Sequence, residues 1–173
     1  MREFLTVGHS TLEPERFLAI LSANRVCAIA DIRTMPRSRR NPQFNREALP
    51  PVLRARGITY AHLAGLGGLR RARAGSANTA WRNASFRGFA DYMLTPEFDR
   101  ALLELLGLPA AGPLALMCAE ALPWRCHRWL IADALVARGI GVVHIMSSGG
   151  TREHRLTRFA QVRDGRVTYP GPA

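Results

Sequence analysis

At 173 residues, 47% of them apolar, the chain is long enough to bury a core without disulfide or metal staples and too apolar to be disordered. No apolar run reaches the roughly 18 residues of a membrane span, and three cysteines, an odd number, do not make a secreted disulfide framework. The formal charge is +11, every one of the 24 basic residues is arginine, and residues 33–87 hold twelve of them against the single acid Glu47. A GC-rich genome explains arginine in place of lysine but not the missing acids, so an anionic partner is expected, either a small molecule or nucleic acid.

Phe4–Val7 is a short apolar run ending in Gly8-His9-Ser10. It leads in from the N-terminus with no cleavable signal pattern, and a cytoplasmic protein without membrane contact is expected. Leu12–Ser22 has helical spacing, with Thr11 as its expected cap. Val26–Ile32 is β-branched and short, and predicts a buried strand. Thr34–Phe44 is a polar loop. Asn45–Arg56 is helical in pattern, with Pro50-Pro51 expected to break or kink it. Ile58–His62 predicts a third strand, and Gly65–Ser85 a long Gly/Ala/Ser/Arg loop. Two helices follow, Phe86–Leu94 and Pro96–Leu106, the second capped by Thr95. Leu114–Met117 predicts a strand ending at Cys118, Cys126–Arg138 a helix, and Gly141–Ile145 the last core strand. Asp164-Gly165 between two short runs predicts a hairpin.

This alternation predicts an α/β fold: one three-layer, Rossmann-like domain over 1–173. Its core, 4–146, holds a mainly parallel sheet of about five strands, and a C-terminal hairpin extension occupies 152–170. The expected strand order is 3-2-1-4-5, with the topological switch point between the first and fourth strands.

Ligands of such sheets bind beyond the carboxyl ends of the strands. Polar groups gather there: Gly8, His9 and Ser10, then Asp31 and Arg33, Tyr60 and His62, Cys118 and Glu120, and His144. Buried Asp31 needs a partner, and Arg33 is the expected one. Gly67 and Gly68 precede Arg70, Arg71 and Arg73, a candidate anion lid or a solvated loop. The densest piece runs from Cys118 to Arg128. Its helix start at Cys126, His127 and Arg128 favours an anion or a thiolate, and Arg128 can fork onto Glu120 or a ligand oxyanion. Cys118 and Cys126 admit several readings: buried apolar groups, metal ligands with His127, or a nucleophile with His127 or His9 as partner. A disulfide between them is disfavoured in a reducing cytosol. No cofactor is required by the sequence.

Gly8-His9-Ser10, Asp31-Ile32-Arg33, Pro36-x-Ser38, Leu66-Gly67-Gly68, Cys118-Ala119-Glu120 and Cys126-His127-Arg128 occur in this order, followed by His144-Ile145. Together they resemble the bacterial and archaeal proteins called domain of unknown function 488, over roughly residues 4–146. The resemblance implies a compact α/β domain with these motifs in one cleft, and supplies no reaction.

Three functions compete. The leading expectation is an enzyme acting on an anionic, phosphate-bearing or nucleic-acid-derived substrate. In it Glu120, His9, His127, Cys118 and Cys126 carry the chemistry, while Gly8, Ser10, Asp31, Arg33, Arg37, Ser38, His62, Gly67, Gly68, Arg128 and His144 hold the ligand. The second is a non-catalytic nucleic-acid-binding module using 33–87, where Phe44, Tyr60, Trp81 and Phe86 interleave with arginines. The third is a metal-binding or redox-sensing protein using Cys118, Cys126 and His127.

Overall fold

The computed structural model describes residues 3–172. Five parallel strands form the sheet's body: β1 (Phe4–Gly8), β2 (Ala28–Asp31), β3 (Thr59–His62), β4 (Leu114–Cys118) and β5 (Val142–Ile145). A sixth, β6 (Thr151–Glu153), lies antiparallel on β5, and the order is β3-β2-β4-β1-β5-β6. Side chains alternate across a strand, which sets the layers. Leu5, Val7, Ile29, Ala115 and Met117 face α1 (Pro14–Ala23) and α2 (Leu49–Arg54). Phe4, Ala28, Ala30, Leu114 and Leu116 face α3 (Ala84–Tyr92), α4 (Pro96–Gly107) and α5 (Arg128–Val136).

The strand order corrects the expected 3-2-1-4-5, because β4 lies between β2 and β1. Both β1 and β4 are five-residue strands buried along their whole length, so apolarity made both central without saying which neighbour each takes. They remain adjacent. The chain leaves β1 toward β2 over the α1 and α2 face and leaves β4 toward β5 over the other, so the switch point stays between them.

Local chemistry accounts for the element ends. Glu13, not Thr11, is the N-cap residue of α1, with Pro14 in the first turn. Pro50 and Pro51 do not break α2; they occupy its first turn, where a missing N–H leaves nothing unpaired. Thr95 caps α4 through its Oγ1, which accepts from Phe98 N at 3.3 Å. The helix expected from Cys126 starts at Arg128, after a 3₁₀ turn at Pro123–Arg125. Asp164 and Gly165, both at positive φ, turn β7 (Gln161–Arg163) into β8 (Arg166–Thr168).

The long loop before α3 is tied down. Buried Asp91 accepts from Arg73 N, Ser76 Oγ and Asn78 Nδ2 at 2.6–2.8 Å, and the Arg70 guanidinium lies 3.7 Å from the Tyr92 ring centre. Asn78 Oδ1 accepts in turn from Tyr169 N, which joins the loop to the C-terminal tail.

Candidate functional site

Where β1 and β4 end, pairing between them continues. His9 N donates to Cys118 O and Ser10 N to Ala119 O, both at 2.9 Å. Gly8 permits this approach, since a Cβ there would lie 1.8 Å from the Glu120 carbonyl oxygen.

The second and third strands supply a buried polar cluster beside this seam. Asp31 accepts from Arg33 Nε at 2.9 Å, Arg33 NH2 at 2.7 Å and Tyr60 OH at 2.6 Å, so the expected Asp31–Arg33 pair is present. Arg33 NH2 also donates to Phe44 O, and Arg33 NH1 lies 3.1 Å from His9 Nε2. A guanidinium only donates, so His9 Nε2 accepts and its Nδ1–H donates to Ser10 O at 2.8 Å. Burial lowers the His9 pKa to about 4, with Arg33 adding to the fall. Both ring nitrogens are therefore engaged, and His9 has no free lone pair for a substrate. His62 Nε2 donates to the Arg33 carbonyl at 2.7 Å. These residues hold the loop after β2, and of them Arg33 alone also borders the cavity over the Cys118 and Cys126 sulfurs.

Cys118 and Cys126 meet at 2.9 Å between sulfurs, Cys126 donating. Arg128 is fully buried and donates through NH1 to Cys118 Sγ and to the Glu120 carbonyl, and through NH2 to Ala121 O at 2.9 Å. It does not fork onto the Glu120 carboxylate. Its Nε has no partner, and no ion pair among the described residues includes it. Of the acceptors its guanidinium meets among the described residues, two main-chain oxygens and the Cys118 sulfur, only the sulfur can carry a compensating negative charge. Burial alone would raise the Cys118 thiol; the Cys126 hydrogen bond and the Arg128 charge outweigh it and lower the pKa to about 7. Cys126, which gives its proton to that sulfur, is raised. His127 Nε2 donates to Ile32 O at 3.1 Å, leaving its Nδ1 lone pair 3.6 Å from Cys126 Sγ. Burial lowers His127 to about 4, so the ring is neutral at pH 7.

Above the sulfurs opens a cavity of about 370 Å³, within the range of small-molecule sites. Its lining includes Arg33, Gly68, Cys118, Glu120, Cys126 and His127, all expected from the sequence. A Cβ on Gly68 would lie 3.1 Å from His127 Nδ1, so the bare glycine lets the loop close on that ring. The sequence reading missed Arg125, whose side chain has no partner among the described residues, and Phe89, and it named Phe86 only as a stacking aromatic for nucleic acid rather than as part of this apolar wall. It also missed Met35 and Leu69, 72% and 85% exposed at the mouth. The i, i+3 spacing of Phe86 and Phe89 marked a helix face but not an exposed cavity, and Arg125 stood in a motif-rich segment without being singled out.

Other expected residues lie elsewhere. Arg37 is exposed and pairs with Glu47 at 3.8 Å. Ser38 closes its own loop by accepting from Asn41 N. Gly67 packs against Thr34, where a Cβ would come 2.4 Å from the hydroxyl oxygen. His144 is not at the rim. It pairs with Thr6, two residues short of the level of Gly8 and Cys118, and is fully buried against Trp129. Of the interleaved aromatics, Phe44 stacks on His9, and Trp81 packs edge-on against Phe86, Phe159 and Tyr169. Among the described residues no three His, Cys, Asp or Glu side chains are grouped to hold a metal ion, and no helix is long and apolar enough to cross a membrane.

Fold and site together define a three-layer α/β protein with a paired-thiol cleft at its topological switch point. The chain belongs to the family described as Domain of unknown function DUF488, whose model matches residues 13–135. No curated protein and no solved structure matches it.

Proposed function

We propose that the protein is an enzyme whose cleft binds an anionic substrate and attacks it through the Cys118 thiolate. One observation carries this reading: a buried, otherwise uncompensated Arg128 guanidinium donates to a thiol that lies on a cavity. In this reading Arg125 meets the substrate's anionic group at the mouth, and Phe86, Met35 and Leu69 receive its apolar body. The Glu120 carboxylate exchanges protons with it. Asp31, Arg33, His9 and His62 are positioning residues.

Competitive alkylation tests this. Iodoacetate and iodoacetamide present the same electrophilic carbon with and without a negative charge. Peptide mass spectrometry reads the two adducts at Cys118, with half-buried Cys27 as the internal reference. The reading expects an iodoacetate-to-iodoacetamide ratio several-fold higher at Cys118 than at Cys27, falling to the Cys27 level in Arg125→Gln. Equal ratios would remove the anion site; an unreactive Cys118 would remove the nucleophile.

A further inference from the structure

A covalent nucleophile needs one thiol, and this cleft holds two in contact. Cys126 Sγ lies 2.9 Å from Cys118 Sγ and is hydrogen-bonded to it, and both face the same cavity. The His127 ring lies beside the pair, its Nδ1 3.6 Å from Cys126 Sγ, and Gly68 closes over that ring. The second thiol is thus protonated and in contact with the first. An attack that leaves an adduct on Cys118 has an internal thiol poised to displace it.

Resting on the assignment of Cys118 as nucleophile, we infer that the cleft is a dithiol–disulfide exchange centre for small disulfides bearing an anionic group. Cys118 is its attacking thiol and Cys126 its resolving thiol. In the first step the Cys118 thiolate attacks one sulfur of R–S–S–R. A Cys118–S–S–R bond forms, the substrate S–S bond breaks, and R–S⁻ leaves. In the second, the adduct has removed the Cys118 charge that raised Cys126, whose S–H proton is lost to solvent, and its sulfur attacks Cys118 Sγ. The Cys118–Cys126 bond forms and the second R–S⁻ leaves. The substrate gains two electrons and the protein dithiol loses them; an external dithiol, reacting in the reverse sense, returns the protein to its reduced form. Phe86, Met35 and Leu69 suit an apolar or aromatic R group, with Arg125 on its anion.

The probe is 5,5′-dithiobis(2-nitrobenzoate), an aromatic disulfide with a carboxylate on each ring, added to the full reduced chain carrying Cys27→Ser. The expected result is release of two thionitrobenzoates per chain, the second at a rate independent of reagent concentration. The product mass is then that of the protein less two hydrogens, with no adduct. Cys126→Ser releases one and keeps a stable adduct on Cys118, while Cys118→Ser loses the fast phase. If the Cys27→Ser protein retains one adduct, placed on Cys118 by peptide mapping, or an adduct on each cysteine, the exchange inference is overturned and the nucleophile assignment stands. If Cys118 is never modified, both fall. Because the mass of the Cys27→Ser product decides alone, a poorly folding Cys126→Ser does not block the test.

Discussion

Helix α5 carries two buried polar centres, Arg128 at its start and Asp133 further along, and they are completed differently. Around Asp133 every proton has a place. Asp133 Oδ1 accepts from His154 Nε2 at 2.8 Å and from Thr157 N, and Oδ2 from Thr157 Oγ1 and Tyr169 OH at 2.7 and 2.8 Å. With His154 Nε2 donating, its Nδ1 accepts from His144 Nε2 at 2.9 Å, and His144 Nδ1 accepts from Thr6 Oγ1 at 2.7 Å. Trp129 Nε1 closes the set on Thr157 Oγ1. Around Arg128, by contrast, one donor is unmet, the charge lacks a carboxylate, and two thiols line open space. A satisfied network rigidifies and specifies packing, here docking the C-terminal tail onto α5. An unsatisfied one beside a cavity is poised for chemistry.

Substitutions separate the two centres. Asp133→Ala strands four donors in a dry site, and is expected to cost about 3–5 kcal/mol in urea unfolding, while Cys118 in the folded fraction keeps its alkylation rate. An equal loss of Cys118 reactivity would mean that the two centres are one. Gly8→Ala acts on the other side. Its Cβ must displace the Glu120 carbonyl that Arg128 grips, so about 1–3 kcal/mol of stability should be lost together with Cys118 reactivity. A variant stable and fully reactive would show that the seam between β1 and β4 does not position the thiol.

Acid tests both centres together. Burial holds His144 at about 3 and His9 and His127 at about 4, against 6.5 when unfolded. The unfolded chain takes up these protons first, so the stability is present above pH 6.5 and is lost as pH falls toward 4. Each histidine adds a slope of about 1.4 kcal/mol per pH unit in that window. Chemical denaturation at a series of pH values should show this rise, and His144→Gln should make it shallower. A flat profile would place these rings in water. The smallest effect expected is that of Tyr169→Phe, about 1 kcal/mol for one hydrogen bond to Asp133, with Cys118 untouched.

Much of the open centre was legible because its parts stand at strand ends, where a parallel sheet collects them. Asp31 with Arg33 followed from the cost of an unpaired buried carboxylate, and Cys118, Glu120, Cys126 and His127 from their density around one helix start. The closed centre was not legible. His144 reads as one more polar residue at a strand end, and its partners Asp133, His154, Thr157 and Tyr169 come from an apolar helix and a distant tail. Only the register of β5 with β1 shows that His144 lies below the rim. The edge strand β6 was missed because its three residues, Thr151, Arg152 and Glu153, are exposed and polar, a composition that guards an edge and looks like a loop. Arg128 was expected to fork onto Glu120 or a ligand oxyanion; it takes main-chain oxygens and sulfur, a choice set by the tight loop that Gly8 allows.

The central claim is that the Cys126 hydrogen bond and the Arg128 charge together bring the pKa of the Cys118 thiol near neutrality. The pH dependence of Cys118 alkylation by iodoacetamide, read by peptide mass spectrometry against Cys27 in the same chain, tests it directly. The account predicts a midpoint near 7 at Cys118, moving up in Arg128→Gln toward that of an ordinary thiol at about 8.5. A Cys118 midpoint at the ordinary value in the unaltered protein, or one that Arg128→Gln leaves in place, would contradict it.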